Sequence, residues 1–80
     1  MDERTVTFRL PQSYAGQMLD GLRCREEAYQ KTAAYMQTGY VDDPAFVCEE
    51  VSDATEARNL AQYYRDIISC VEQQLADQRA

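Results

Sequence analysis

The sequence predicts a mainly α fold, in which two long antiparallel helices form a helical hairpin behind a short N-terminal β-strand. Three observations lead to this prediction. Polar and apolar residues alternate over residues 5–10, and apolar residues recur at threes and fours over 12–38 and 53–77. Eighty residues are enough for one domain, residues 1–80, with a small core.

The predicted strand is the stretch "TVTFRL", residues 5–10. Its period of two, in β-favouring residues, is typical of a strand with one apolar face. Pro11 ends the strand, because proline has no N–H group for a ladder. A single strand is not stable in water, so this one needs a partner within the chain or in a second copy.

The first helix is predicted over residues 12–38, with Gly39 placed where a left-handed residue would end it. Gly16 and Gly21 lower helix propensity, and we expect another element to approach the helix closely there. The predicted apolar face consists of Ala15, Met18, Leu22, Tyr29 and Met36, widened by Leu19, Ala33 and Tyr40.

Residues 40–52 allow three interpretations. Asp43 before Pro44 is typical of an N-cap and a first helical residue, which favours a short helix. A strand at "AFVCEEV", paired with "TVTFRL", is the second interpretation, and an irregular loop is the third.

The second long helix is predicted over residues 53–77, with only the last few residues frayed. Ser52 or Asp53 is the predicted N-cap, and Asp53 with Glu56 approximates a capping box. The predicted apolar face consists of Ala57, Leu60, Ala61, Tyr64, Ile67, Ile68, Val71 and Leu75.

Two such helices joined by a short connection pack antiparallel. Their apolar faces are broader than one helix–helix seam, since Tyr64, Ile67 and Ile68 spread over more than a narrow stripe. A second copy of the chain would cover the remainder, and we therefore expect a homodimer that forms a four-helix bundle.

Charge and composition narrow the function classes. The net charge is −6, and residues 41–80 hold nine acidic against three basic residues, which disfavours a phosphate backbone as partner. The N-terminus does not read as a secretion signal, and no apolar run is long enough to span a membrane. We expect a cytoplasmic protein without a membrane partner.

Catalytic and metal chemistry find little support in the sequence. The chain has no histidine, and its cysteines, Cys24, Cys48 and Cys70, are far apart, so no zinc site, other metal site or cofactor is predicted. The cysteines are interpreted as small, buried or half-buried thiols in a reducing compartment. We expect no enzymatic activity.

The stretch "VTFRLP", residues 6–11, resembles the opening residues of ribbon-helix-helix repressors. Those proteins pair this strand with its copy in a dimer and lay the ribbon in the major groove. The resemblance ends there, since the helix that follows is about twice as long as theirs. The chain is therefore not assigned to that family.

Two functions of different class follow. The first is a small acidic protein–protein interaction module (an adaptor, inhibitor or chaperone-like protein) whose partner is another protein, with a basic partner as one option. The alternative is a dimeric ribbon-type nucleic-acid-binding regulator that uses the N-terminal strand. Tyrosine is favoured at interfaces, and acidic side chains suit a basic partner. The candidate partner-binding residues are Tyr14, Tyr35, Tyr40, Asp42, Asp43, Glu49, Glu50 and Tyr63.

Overall fold

A computed structural model describes residues 4–79 of the chain. It contains two helices, α1 (Gln12–Thr38) and α2 (Ala54–Arg79), which pack against each other. The predicted helical hairpin is confirmed. A connecting loop of residues 39–53 joins the helices, and an N-terminal segment of residues 4–11 precedes α1.

The ends of α1 are set by the two residues that flank it. The Pro11 carbonyl accepts hydrogen bonds from the backbone N–H groups of Tyr14 (3.0 Å) and Ala15 (3.2 Å). At the other end Gly39 adopts φ 77°, a left-handed conformation, and its N–H donates to the Tyr35 carbonyl at 2.7 Å. Both ends coincide with those predicted from the sequence.

α2 begins after a capped turn. The Asp53 carboxylate accepts the Glu56 N–H at 2.8 Å, so Asp53 is the N-cap and the helix starts one residue later than predicted. The Glu56 carboxylate accepts hydrogen bonds from the Ser52 N–H, at 3.0 Å, and from the Ser52 hydroxyl. In the predicted capping box Glu56 would bond the N–H of Asp53, so the observed contact is to the residue before it. The helix also continues to Arg79, beyond the predicted end at residue 77, so the predicted fraying of the last residues is not seen up to that point.

Contacts between the helices show the antiparallel register. Residue numbers rise along α1 as those of their partners fall along α2. The pairs are Arg23 with Glu72, Glu26 with Arg65, Tyr29 with Tyr64, and Gln37 with Arg58.

The core of the hairpin is made mostly of small side chains. The predicted face of α2 is confirmed, since all its members are buried or half-buried. The predicted face of α1 is partly wrong, because Met18, Met36 and Tyr40 are exposed and Glu26 lies half-buried on the covered side. The buried side chains are Ala15, Leu19, Thr32, Ala33, Ala57, Ala61 and Ile68.

The predicted strand at residues 5–10 does not form within the described residues 4–79. A strand needs a neighbouring strand to satisfy its backbone hydrogen bonds, and no other described segment supplies one. The predicted homodimer and four-helix bundle concern a second copy, and they stay predictions.

The connecting loop is irregular, so the favoured short helix over residues 40–52 is wrong, as is the strand at "AFVCEEV". Asp43 starts a turn as expected: its side chain accepts the Ala45 N–H at 3.0 Å, and its carbonyl accepts the Phe46 N–H at 3.1 Å. The turn does not propagate into a helix. The Glu49 N–H instead donates to the Thr32 hydroxyl oxygen on α1, at 3.0 Å.

The close approach expected at Gly16 and Gly21 is not present. A Cβ atom at either position would meet no neighbouring atom within 4 Å. The two glycines therefore face open space in the described chain.

Replacing Thr32 by valine tests how the loop is held. Thr32 is fully buried, and the change keeps its shape but removes the acceptor of the Glu49 N–H. We expect the free energy of unfolding to fall by about 1 to 2 kcal/mol, the typical effect of leaving a partly buried donor unpaired. Urea denaturation measures this change.

Thr55→Val is the matched control, since Thr55 is exposed and its hydroxyl bonds only the Arg58 side chain. It should change stability by no more than about 0.5 kcal/mol. Equal effects of the two substitutions would contradict the role assigned to Thr32.

Candidate functional site

An apolar groove of about 590 Å³ lies between the N-terminal segment, the first turns of α1 and the C-terminal half of α2. We call it the groove. Its walls are Val6, Phe8, Leu10, Ala15, Met18, Tyr63, Asp66, Ile67, Cys70, Val71, Gln74, Leu75 and Gln78.

The wall contributed by α2 is a continuous stripe. Tyr63, Ile67, Val71 and Leu75 follow one another at intervals of four residues, which places them on one side of the helix. At 1.5 Å per residue the stripe is about 18 Å long. Small residues elsewhere on α2 form the seam with α1, so this stripe is only partly covered.

The opposite wall keeps the period of two that the sequence shows. Val6, Phe8 and Leu10 line the groove, whereas the polar residues between them do not. The three apolar side chains are nevertheless poorly covered, with Val6 70% and Phe8 67% exposed. An apolar surface of this extent remains in contact with water in the single chain.

The groove carries one formal charge among its described lining residues, that of Asp66. The Asp66 carboxylate accepts a hydrogen bond from the Gln62 side chain at 2.8 Å. Depletion of charge and enrichment in apolar residues are typical of the centre of a protein–protein interface.

The predicted tyrosines do not form one patch. Tyr63 lines the groove, and its ring meets that of Tyr64 edge-on at 5.8 Å. Tyr14 is exposed in the first turn of α1. Tyr35 packs against Phe46 of the connecting loop, with ring centroids 5.6 Å apart, and Tyr40 is exposed within the loop.

The predicted acidic residues lie in the connecting loop, and two of them are already engaged. Asp43 forms an ion pair with Lys31 at 2.7 Å, and Glu49 forms one with Arg25 at 3.3 Å. Asp42 accepts a hydrogen bond from the Tyr40 hydroxyl at 3.4 Å, and Glu50 is exposed. Asp42 and Glu50 are thus the more accessible acids.

Arg25 connects the loop to both helices. Its guanidinium lies 5.0 Å from the centre of the Tyr29 ring and 6.0 Å from that of Tyr64, and the two rings stack at 5.8 Å. It also donates to the Tyr29 hydroxyl at 3.0 Å. Together with the Glu49 ion pair, these contacts hold the loop against the middle of the hairpin.

Other kinds of site find no support among residues 4–79. No three His, Cys, Asp or Glu side chains in this range lie close enough to hold a metal ion. The interpretation of the cysteines as buried or half-buried is wrong, because all three lie outside the packed seam and are exposed free thiols. Cys70 is the one that lines the groove. Neither helix carries an apolar stretch of the length that a bilayer crossing requires, within the described part of the chain.

Comparisons with known proteins find no matching family model and no significantly similar curated protein or solved structure.

Most of the groove was missed by the sequence analysis. In the sequence, the alternation of residues 5–10 and the excess apolar width of the second helix are separate features. Only packing shows that Phe8 and Val71 face the same space. Tyr63 is the single predicted residue that lines the groove.

The Lys31–Asp43 ion pair generates a prediction about pH. The Lys31 ammonium holds the pKa of Asp43 below its usual value of 3.8, with help from the Ala45 N–H, and Asp43 and Glu27 raise the pKa of Lys31 above 10.5. A lowered carboxyl pKa contributes stability above pH 3.8 that is lost as the pH falls through the folded value. A raised lysine pKa contributes stability below pH 10.5 that is lost as the pH rises through the folded value.

Lys31→Gln should therefore move the Asp43 pKa upward, towards its usual value, as measured by the carboxyl carbon shift in an NMR titration. Arg58→Gln is the control, since Arg58 contacts Gln37 and Thr55 instead. An Asp43 that titrates alike in both variants would contradict the assignment of this ion pair.

Proposed function

We propose that this chain is a small acidic protein–protein interaction module that catalyses no reaction, and that the groove is where it binds protein. The observation that carries the proposal is the groove itself. It is apolar, elongated and open to water, and it carries one formal charge among its described lining residues. Contiguous exposed apolar surface of this kind marks an interaction site.

The length of the groove favours a protein over a small molecule. A stripe of about 18 Å on α2 matches three to four turns of a facing helix, or five to six residues of a facing strand. Burying such a surface supplies up to about 25 cal/mol per Å² of apolar area removed from water.

Outside the groove, the acidic side chains of the connecting loop favour a partner with basic residues. The described part of the connecting loop presents Asp42 and Glu50, while the bases Arg25 and Lys31 are neutralised by ion pairs within the chain. A partner that meets the loop with basic residues would complement this charge.

We propose a cytoplasmic location. Three exposed free thiols persist where glutathione and thioredoxin keep cysteines reduced.

The lack of histidine in the sequence removes the side chain most used for proton transfer near pH 7, which supports a binding role over a catalytic one.

Photo-crosslinking from within the groove tests the proposal. A photoreactive phenylalanine analogue at Gln74, which lines the groove, should form adducts with protein in an extract of cells that make the chain. The same analogue at Gln73 is the matched control, because Gln73 is exposed on the neighbouring face of α2 and does not line the groove. Mass spectrometry identifies each adduct.

A second change ties the adducts to the apolar surface. Phe8→Asp should abolish crosslinking from Gln74, whereas Thr7→Asp adds the same charge outside the groove and should reduce it less. Both positions lie outside the helices, so the hairpin should stay folded, as circular dichroism would verify. Equal adduct yields from Gln74 and Gln73 would overturn the proposal.

A second candidate function, a dimeric ribbon that binds nucleic acid, is favoured by one observation. Val6, Phe8 and Leu10 line the groove, which leaves Thr5, Thr7 and Arg9 on the side away from it. A ribbon formed by two copies would present these polar side chains to a partner. The net charge of −6 opposes binding to phosphates.

We expect no binding of a labelled mixed-sequence DNA duplex at physiological salt, measured by fluorescence anisotropy. The ribbon hypothesis expects binding that Arg9→Ala removes and that Arg58→Ala, in the first turns of α2, leaves unchanged. That pattern would replace the first proposal with the second.

A further inference from the structure

We infer that the groove is filled by a second copy of this chain, so that the hairpin is a homodimer built on this face. The inference rests on the proposed function and names the partner of that site. Three independent features of the molecule support it: its surface area, the charge of the groove and the backbone of residues 5–10.

The single chain exposes more surface than a folded monomer of its mass should. The chain exposes 6529 Å², whereas a folded monomer of 9.2 kDa exposes about 4,900 Å². The excess of roughly 1,600 Å² per chain corresponds to roughly 3,200 Å² for a pair, and obligate homodimers bury about 2,000–5,000 Å². The excess is thus of the size that dimerisation removes.

The shape of the chain agrees with this comparison. Its radius of gyration is 15.2 Å, where a compact domain of eighty residues has about 12 Å. The molecule is flat, with principal extents of 44 × 34 × 18 Å.

Charge decides between a second copy and a basic partner inside the groove. A basic partner needs acidic contacts, but Asp66 is the only charged side chain among the described lining residues. Two copies with a net charge of −6 repel each other, yet charges further apart than the Debye length of about 8 Å are largely screened at physiological salt. Two copies of the same net charge can therefore associate through the apolar groove, where few charges face each other.

The unpaired backbone of residues 5–10 also favours pairing with the same segment of a second copy. Its N–H and C=O groups form no hydrogen bond with another described residue. The segment alternates apolar and polar side chains, so an antiparallel copy about a two-fold axis would pair the backbones and put both apolar rows on one face. Those rows then cover both grooves.

The test combines the mass of the purified chain with the reactivity of Cys70. Light scattering on a sizing column, under reducing conditions, should give twice the chain mass of 9.2 kDa. A maleimide should modify Cys70, which lies in the groove, severalfold more slowly than the exposed Cys24 and Cys48. Added sodium chloride should strengthen the dimer, because it screens the repulsion between acidic copies.

The variant Phe8→Asp should convert the dimer to a monomer and restore the reactivity of Cys70. Gln73→Asp is the control that adds the same charge outside the groove, and it should remain dimeric. A dimer in which Cys70 reacts as fast as Cys24, or which Phe8→Asp leaves intact, would use another face and would overturn the inference.

A monomer at every concentration would also overturn it, and the crosslinking from Gln74 then separates the two proposals. Adducts with a different protein would leave the groove as a protein-binding site with another occupant. A monomeric chain with no adducts above those from Gln73 would refute both proposals.

Discussion

Two helices that pack against each other can bury only one stripe of side chains on each, and the architecture of this chain depends on that limit. The covered stripe consists largely of small residues such as Ala33, Ala57 and Ala61, which allow the helices to approach closely. α2 carries apolar residues over a wider arc than this seam can cover. Ile67 and Val71 are therefore only half-buried, and with the N-terminal segment they become walls of the groove.

The connecting loop depends on the same hairpin but is held by polar contacts. The buried Thr32 accepts the Glu49 N–H, and the ion pairs of Lys31 with Asp43 and of Arg25 with Glu49 anchor the loop to α1. Each pair is exposed in part, so each contributes modestly by itself. Asp43 and Glu49 therefore position the connecting loop and are less available to a partner. The exposed apolar surface of the groove is the stronger indication of binding.

The apolar groove and the acidic connecting loop are two surfaces that would contribute differently to the proposed binding. An apolar contact provides affinity without the need for opposite charge, whereas exposed acids such as Asp42 and Glu50 influence which partners approach. If the groove joins two copies, both acidic loops lie on one assembly and a further protein would meet two equivalent surfaces. In the proposed interaction module, charge would contribute to specificity and the groove to affinity.

The sequence by itself determined the features that arise from short-range patterns. The C-cap of α1 at Gly39, the N-cap of α2 and the apolar face of α2 all depend on residues within a few positions of one another. The structure has Gly39 and the apolar face where the pattern placed them, and it selects Asp53 over Ser52 as the N-cap. Tertiary structure alone decided which apolar residues find a neighbour. Met18 faces the groove, whereas Glu26 lies half-buried on the covered side and forms an ion pair with Arg65, thirty-nine residues away. The short helix at 40–52 fails because its stability depends on partners that local periodicity does not encode. The strand at residues 5–10 does not form among the described residues, since it needs a neighbouring strand that they do not supply.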